Sequence, residues 1–96
     1  MMAGPSFDVL CIGRVGVDLY PMEVGVGLED VRTFGKFLGG SAGNVAVAAA
    51  RYGHSAAIIS RTGDDPFGRF VATALGDLGV NTDYLGIDPW LPTPVT

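Results

Sequence analysis

Five residues offer chemistry by their type and spacing: Arg14, Asp18, the pair Gly39-Gly40, and Asn44 four positions beyond that pair. A glycine pair lets backbone N–H groups approach a ligand closely. The helix that follows presents unpaired donors and a partial positive charge at its start. Such a cradle suits a hydroxyl-rich or anionic small molecule; a tight turn before a core helix is the plainer alternative. An aspartate and an asparagine beside it would bind polyol hydroxyls by accepting and donating hydrogen bonds. Taken singly, Asp18 also reads as a turn or capping carboxylate and Asn44 as an exposed first-turn residue. Arg14 matches a ligand carboxylate bidentately, against the alternative of a solvated surface arginine.

Other reactive side chains are less telling. Asp64-Asp65 looks like a carboxylate pair for acid/base work, but its place just before Pro66 favours capping of a helix. His54 stands in a turn with no second metal-ligand candidate nearby, and no metal site or catalytic residue is assigned. Arg69 falls on the polar side of a helix.

The elements that must position these groups follow an α/β order. Phe7 to Ile12 predicts a strand buried on both faces of a parallel sheet, because its apolar run does not alternate. Gly13 to Asp18 predicts the loop at its carboxyl end. Asp18 to Val26 and Val31 to Leu38 predict two extended arms joined by the turn-rich Gly25–Asp30. From Ser41, or a neighbour as cap, an alanine-rich helix runs to Arg51, with Gly53 as its C′ residue. Val45, Ala48, Ala49 and Tyr52 predict its apolar stripe. Ala56 to Ser60 predicts a second buried strand. A second helix opens at Pro66, carries Phe67, Phe70, Val71, Ala74, Leu75 and Leu78 at helical spacing, and closes at Gly79. A third strand is expected around Tyr84–Ile87, ahead of a proline-rich tail from Asp88 to Thr96. Alternating strands and helices imply a parallel sheet with crossovers. Ligands of such sheets sit outside the carboxyl ends of the strands, so all five residues can converge on one pocket.

Composition narrows the class. Ninety-six residues allow one small domain. The chain is 48% hydrophobic before its 15 glycines are counted, and only 17% charged. Ordinary domains are about 45–50% apolar with glycine included and about 25% charged. A small domain should be more polar than average, so the excess predicts part of a larger core, and hence a truncated chain. A net charge of −4 with six Lys and Arg argues against a nucleic-acid or anionic-membrane surface. Cys11 is expected to pack as a small hydrophobe. Met1–Ser6 lacks a basic leader, and no run of about 18 apolar residues occurs, so a soluble cytoplasmic protein is expected.

Two phosphate-binding fingerprints are missing. There is no Gly-x-x-x-x-Gly-Lys-Ser/Thr and no Gly-x-Gly-x-x-Gly, and Gly13-x-x-Gly16 lacks the spacing. A dinucleotide-binding domain is therefore disfavoured.

Gly39-Gly40-Ser41-Ala42-Gly43-Asn44 with its small-residue helix, followed by Gly63-Asp64-Asp65-Pro66-Phe67-Gly68, resembles the first signature of the ribokinase/PfkB carbohydrate kinases. Ile12-Gly13-Arg14-Val15-Gly16-Val17-Asp18-Leu19-Tyr20, with Leu28-Glu29-Asp30-Val31 and Thr33-Phe34-Gly35-Lys36-Phe37, is similar to the 5-dehydro-2-deoxygluconokinase branch of inositol catabolism. The resemblance covers nearly all of residues 1–96.

It implies a ribokinase-like fold, a mostly parallel sheet flanked by helices with a small β lid within residues 18–38. It implies that Asp18, Gly39, Gly40 and Asn44 hold sugar hydroxyls. The lid would close over the sugar and offer a homodimer contact. ATP and Mg would be used through a C-terminal half carrying a Gly-Ala-Gly-Asp motif, whose aspartate is the catalytic base. That motif is absent here, so an N-terminal, inactive fragment is expected. Ser41 stands where ribokinase-like members often have lysine, which speaks against ribose itself. The alternative is a non-catalytic sugar-binding or dimerisation module.

Overall fold

In the computed structural model, residues 6–96 are described; the reading of the N-terminus as leaderless rests largely on residues 1–5, outside that range. The elements are β1 (Val9–Ile12), β2 (Gly16–Pro21), a 3-10 turn (Leu28–Asp30), β3 (Phe34–Gly39), α1 (Ser41–Arg51), β4 (Ala56–Gly63), α2 (Pro66–Asp77), β5 (Val80–Asn81) and β6 (Leu85–Asp88). The α/β order predicted from the sequence is the order found.

β4 is the centre of the main sheet. β1 runs parallel to it from Val9 opposite Ala56 to Ile12 opposite Ile59. β5 pairs with Ala56 and Ala57, and β6 with Ser60 to Gly63, both parallel. A separate antiparallel ribbon joins β2 and β3, with Gly16 opposite Gly39 and Pro21 opposite Phe34.

The core is Cys11, Val15, Val17, Ala42, Ala46, Ile58, Val71, Leu75 and Val80. Each valine, leucine or isoleucine so buried contributes about 1.5–3 kcal/mol. Cys11 is a free, buried thiol within that cluster, as its apolar run predicts.

Several boundaries and faces differ from expectation. β1 is not buried on both faces: Cys11 points into the core, whereas Leu10 and Ile12 are 49% and 74% exposed. Ile59 on β4 shares that openness. No described element covers this side of the sheet, so an apolar run that reads as doubly buried here has one bare face. The loop after β1 is short, and Asp18 lies inside β2 instead of closing the loop. The two arms stop at Pro21 and begin at Phe34, so Met22–Thr33 is a connection in which Glu23 accepts hydrogen bonds from Thr33 and Arg32. β4 extends to Gly63, beyond the predicted Ser60.

The stripe predicted for α1 is corrected as well. Its buried residues are Ala42, Gly43 and Ala46, while Val45 and Tyr52 are exposed. The helix packs on β1 and β4 with Ala42, Gly43 and Ala46 turned inward, and Val47 and Ala50 beside them against the core. A β-carbon on Gly43 would come within 2.9 Å of the Val15 methyl Cγ2. Val45 and Tyr52 fall on the side of the helix turned away from that contact. Of the two cap readings, Ser41 or a neighbour, the neighbour holds: Gly40 occupies the cap position without a side-chain bond, and Ser41 is the first helical residue. The C-terminus follows expectation: Gly53, at φ +86°, and His54 donate back to the Ala50 and Ala49 carbonyls. This closes the helix by a Schellman pattern.

Candidate sugar-binding face

The strand ribbon has two unlike faces, because alternate residues of a strand point opposite ways. Val17 is buried, and Leu19 and Leu38 pack against the core. On that same side the Lys36 ammonium sits 4.1 Å above the Phe70 ring of α2, a cation–π contact. The other side carries Asp18 and Tyr20 from β2, and Phe37, Gly35 and Gly39 from β3. Tyr20 and Phe37 meet edge to face at 5.5 Å.

The tail adds a third strand to this ribbon. Val17 donates to the Pro94 carbonyl at 2.9 Å and Leu19 to that of Thr96 at 2.8 Å. Thr96 returns a bond to the Val17 carbonyl at 2.9 Å. Val95 thus lies parallel to and opposite Val17. One step along, Phe37, Asp18 and Thr96 stand in a row across the three strands, on the face turned away from the core.

Glycines form the floor of that face. A β-carbon on Gly39 would run into the Asp18 carboxylate, and one on Gly16 would meet the Pro94 carbonyl at 2.5 Å. Gly39 therefore lets the aspartate lie flat against the ribbon. Gly40 is more constrained, with φ +91° and ψ 143°. Its missing side chain would lie 2.5 Å from the Arg14 carbonyl and 2.8 Å from the Val15 Cα. The Arg14 carbonyl also accepts the Ala42 N–H at 3.2 Å, so the β1–β2 loop is bolted to the start of α1.

The structure thus brings Arg14, Asp18, Gly39 and Gly40 together. Asn44 stands in the first turn of α1 with an exposed side chain that makes no hydrogen bond to a described residue. It lines a shallow groove with Val47, Ala48, Arg51 and Tyr52. No described contact joins it to Asp18, so the five do not form one closed pocket here.

The capping reading of the pair Asp64-Asp65 holds for Asp65 alone. Asp64 is exposed, 3.5 Å from Arg69. Asp65 caps α2, accepting the Gly68 N–H at 2.7 Å. It also holds the tail: it accepts from the Thr93 hydroxyl at 2.6 Å and the Thr93 N–H at 2.9 Å. That hydroxyl in turn accepts the Gly63 N–H at 3.0 Å. The Thr93 hydroxyl first, then the Thr93 and Gly68 N–H groups, hold the Asp65 carboxyl below the usual carboxylate range. Gly63 and Gly68 are spaced to admit this knot, since β-carbons there would strike Thr93, Asp65 and the Gly63 carbonyl. His54 sits 3.6 Å from Asp8 at the surface, away from these residues.

Sequence reasoning missed the tail. Its alternation Pro92-Thr93-Pro94-Val95-Thr96 carries β-branched residues at the strand positions, and that was the available signal.

The model of the pfkB family carbohydrate kinases matches residues 6–96. The chain belongs to that family. Among its curated relatives, 5-dehydro-2-deoxygluconokinase of Clostridium tetani is 47% identical over 78 residues, covering 81% of this chain and 23% of the relative. The same-named protein of Bacillus anthracis is 43% identical over 82 residues, 85% of this chain and 25% of the relative. An uncharacterised sugar kinase of Pyrococcus horikoshii, solved in complex with ATP, superposes with a TM-score of 0.84 at 37% identity, over 91% of this chain and 28% of that one. The chain therefore spans about a quarter of the length of these pfkB relatives. The fold is ribokinase-like. Among the described residues no helix is long and apolar enough to cross a membrane. Nor do they contain a group of three or more His, Cys, Asp and Glu that could hold a metal.

Proposed function

We propose that these residues form the N-terminal, sugar-binding part of an ATP-dependent carbohydrate kinase whose acceptor is 5-dehydro-2-deoxygluconate or a related sugar acid. The observation that carries the reading is the Asp18 carboxylate lying over Gly39 on the open face of the ribbon, beside the start of α1, in a pfkB-family chain. Similarity to kinases of that sugar acid supports the acceptor.

Each residue then has a task. Asp18 accepts hydrogen bonds from sugar hydroxyls and fixes which hydroxyl faces the phosphate donor. Gly39 and Gly40 let the sugar approach the backbone, and Asn44 adds an amide from the helix start when the ribbon closes. The ribbon acts as a lid that excludes water, so that the phosphate goes to sugar and not to solvent. ATP and Mg, held by the remainder of the enzyme, supply the transferring phosphate and its charge neutralisation. The catalytic base belongs to a Gly-Ala-Gly-Asp motif that residues 1–96 do not contain, so this chain alone is expected to be inactive. A second copy meeting the lid, and a cytoplasmic setting, are consistent with this reading.

The test uses the protein made from the uninterrupted reading frame, assayed for ATP-dependent phosphorylation of a panel of sugars and sugar acids. Transfer to a sugar acid is expected. A reading frame that ends at Thr96 without such a motif would replace the kinase by a binding module. In the complete enzyme, Asp18→Ala is expected to remove sugar binding and leave nucleotide binding intact. The loss should be about 1.5–3 kcal/mol per charge-assisted hydrogen bond. Unchanged sugar affinity by calorimetry would remove Asp18 from the site.

A further inference from the structure

Arg14 is held at both ends. Its carbonyl accepts the Ala42 N–H of α1. At the other end its Nη2 donates to the Thr96 hydroxyl at 2.7 Å. Thr96 shares its row of the ribbon with Asp18, so the bond brings the Arg14 guanidinium to the face that carries the Asp18 carboxylate. Yet among the described residues Arg14 makes no ion pair within 4.0 Å, with Asp18 or with any other carboxylate. A guanidinium has five N–H donors in a fixed fork, and a neutral hydroxyl satisfies one of them. The rest of the fork is available on the open face, with a carboxylate close by but unpaired to it.

We infer that Thr96 is a positioning residue that holds the Arg14 guanidinium as the reader of the substrate's carboxylate, while Asp18 reads its hydroxyls. The two charges stand unpaired in the free protein, which leaves both for one ligand to bridge. A sugar acid offers both groups on one short carbon chain, and a neutral sugar leaves the arginine unanswered. Wherever a hydroxyl is read by Asp18 and an anionic end by Arg14, the ligand is a hydroxy acid and its orientation is fixed. The inference rests on the proposed function and adds to it the residue that selects acids over neutral sugars.

The experiment measures binding and transfer separately, on the protein from the full reading frame. 5-Dehydro-2-deoxygluconate and its neutral, carboxyl-reduced counterpart are each titrated calorimetrically without ATP, then each is used as acceptor with ATP. Wild type is expected to favour the acid. Arg14→Met should weaken acid binding by about ten- to a hundredfold, as for loss of a hydrogen bond to a charged group. Thr96→Val, which keeps shape and loses the hydroxyl, should weaken it by about three- to tenfold, through KM more than kcat. Thr96→Ser should restore the preference, since it keeps the donor's partner. Equal losses for acid and neutral ligand in Thr96→Val, or a wild type indifferent to the carboxyl group, would overturn the inference and leave the kinase standing. Binding of the acid with the expected variant pattern but no phosphoryl transfer would overturn the kinase and leave the Arg14–Thr96 pair standing.

Discussion

At the scale of single residues the side chain that ties the tail to the main fold is Asp65. One carboxylate caps α2 through Gly68 and fastens the tail through both the hydroxyl and the amide of Thr93. These donors lower its folded pKa from the ordinary 3.8. The sign follows: the stabilisation is fully present above that ordinary value and is lost as pH falls through the depressed one. We expect the Thr93 amide to lose its protection only as pH falls below the ordinary 3.8, through the depressed value, before the core does. An NMR pH titration of the Thr93 amide checks this; protection that persists until global unfolding would count against it. Asp65→Ala should lower stability through the lost helix cap. It should further loosen the strand at Thr93–Thr96, seen as faster hydrogen exchange at Leu19 and Val17. The lesser aspartate, Asp64, is exposed and paired only with Arg69, so Asp64→Ala should change stability by no more than about 0.5 kcal/mol.

At the scale of elements, the joint between β3 and α1 decides how the ribbon sits on the sheet. Two glycines at this joint fail in different ways when given a side chain. At Gly40 the obstruction is backbone, the Arg14 carbonyl and the Val15 Cα, and the positive φ adds strain of about 1–3 kcal/mol. At Gly43 the obstruction is one methyl of Val15, and φ is ordinary. Gly40→Ala is therefore expected to destabilise by more than about 3 kcal/mol. Gly43→Ala should cost less, because overpacking is relieved by a small shift while Ala favours helix by about 1 kcal/mol over Gly. Urea unfolding of both variants in the protein from the full reading frame tests the order. An equal cost at the two positions would show that the α1 packing, and not the backbone at Gly40, limits the joint.

At the scale of the molecule the main sheet has one covered face and one bare one. Leu10, Ile12 and Ile59 lie open on the strands, and Val45, Tyr52, Ile87 and Trp90 are exposed elsewhere on the surface. Exposed apolar area of this kind marks a surface that another layer normally covers. The strand edges left by β1 and β3 add unpaired backbone groups. The 96-residue chain in isolation is therefore expected to aggregate or remain partly unfolded. A sharp, cooperative melt of a monomer in analytical ultracentrifugation and calorimetry would show the bare face to be tolerable.

Much of this protein was legible before any tertiary contact. The order of strands and helices follows from hydrophobic period and from Gly and Pro punctuation, which act locally. The cap at Asp65, the C′ glycine at Gly53 and the packing of Cys11 are short-range consequences of residue type. The glycine pair and Asp18 stood out because their spacing matches a family signature, and the ribbon does place Asp18 over Gly39. Three features needed the fold. The buried stripe of α1 is set by how the helix is turned against the sheet, which brings Ala42, Gly43 and Ala46 inward and leaves Val45 and Tyr52 outside. The position of Asp18 within β2 depends on cross-strand pairing with Phe37, which one strand cannot reveal. The meeting of Arg14 with Thr96 spans nearly the whole chain and exists only because the tail pairs with β2. Local sequence determines what each segment becomes; which side chains share a face is decided by strand register and by contacts between segments far apart in the chain.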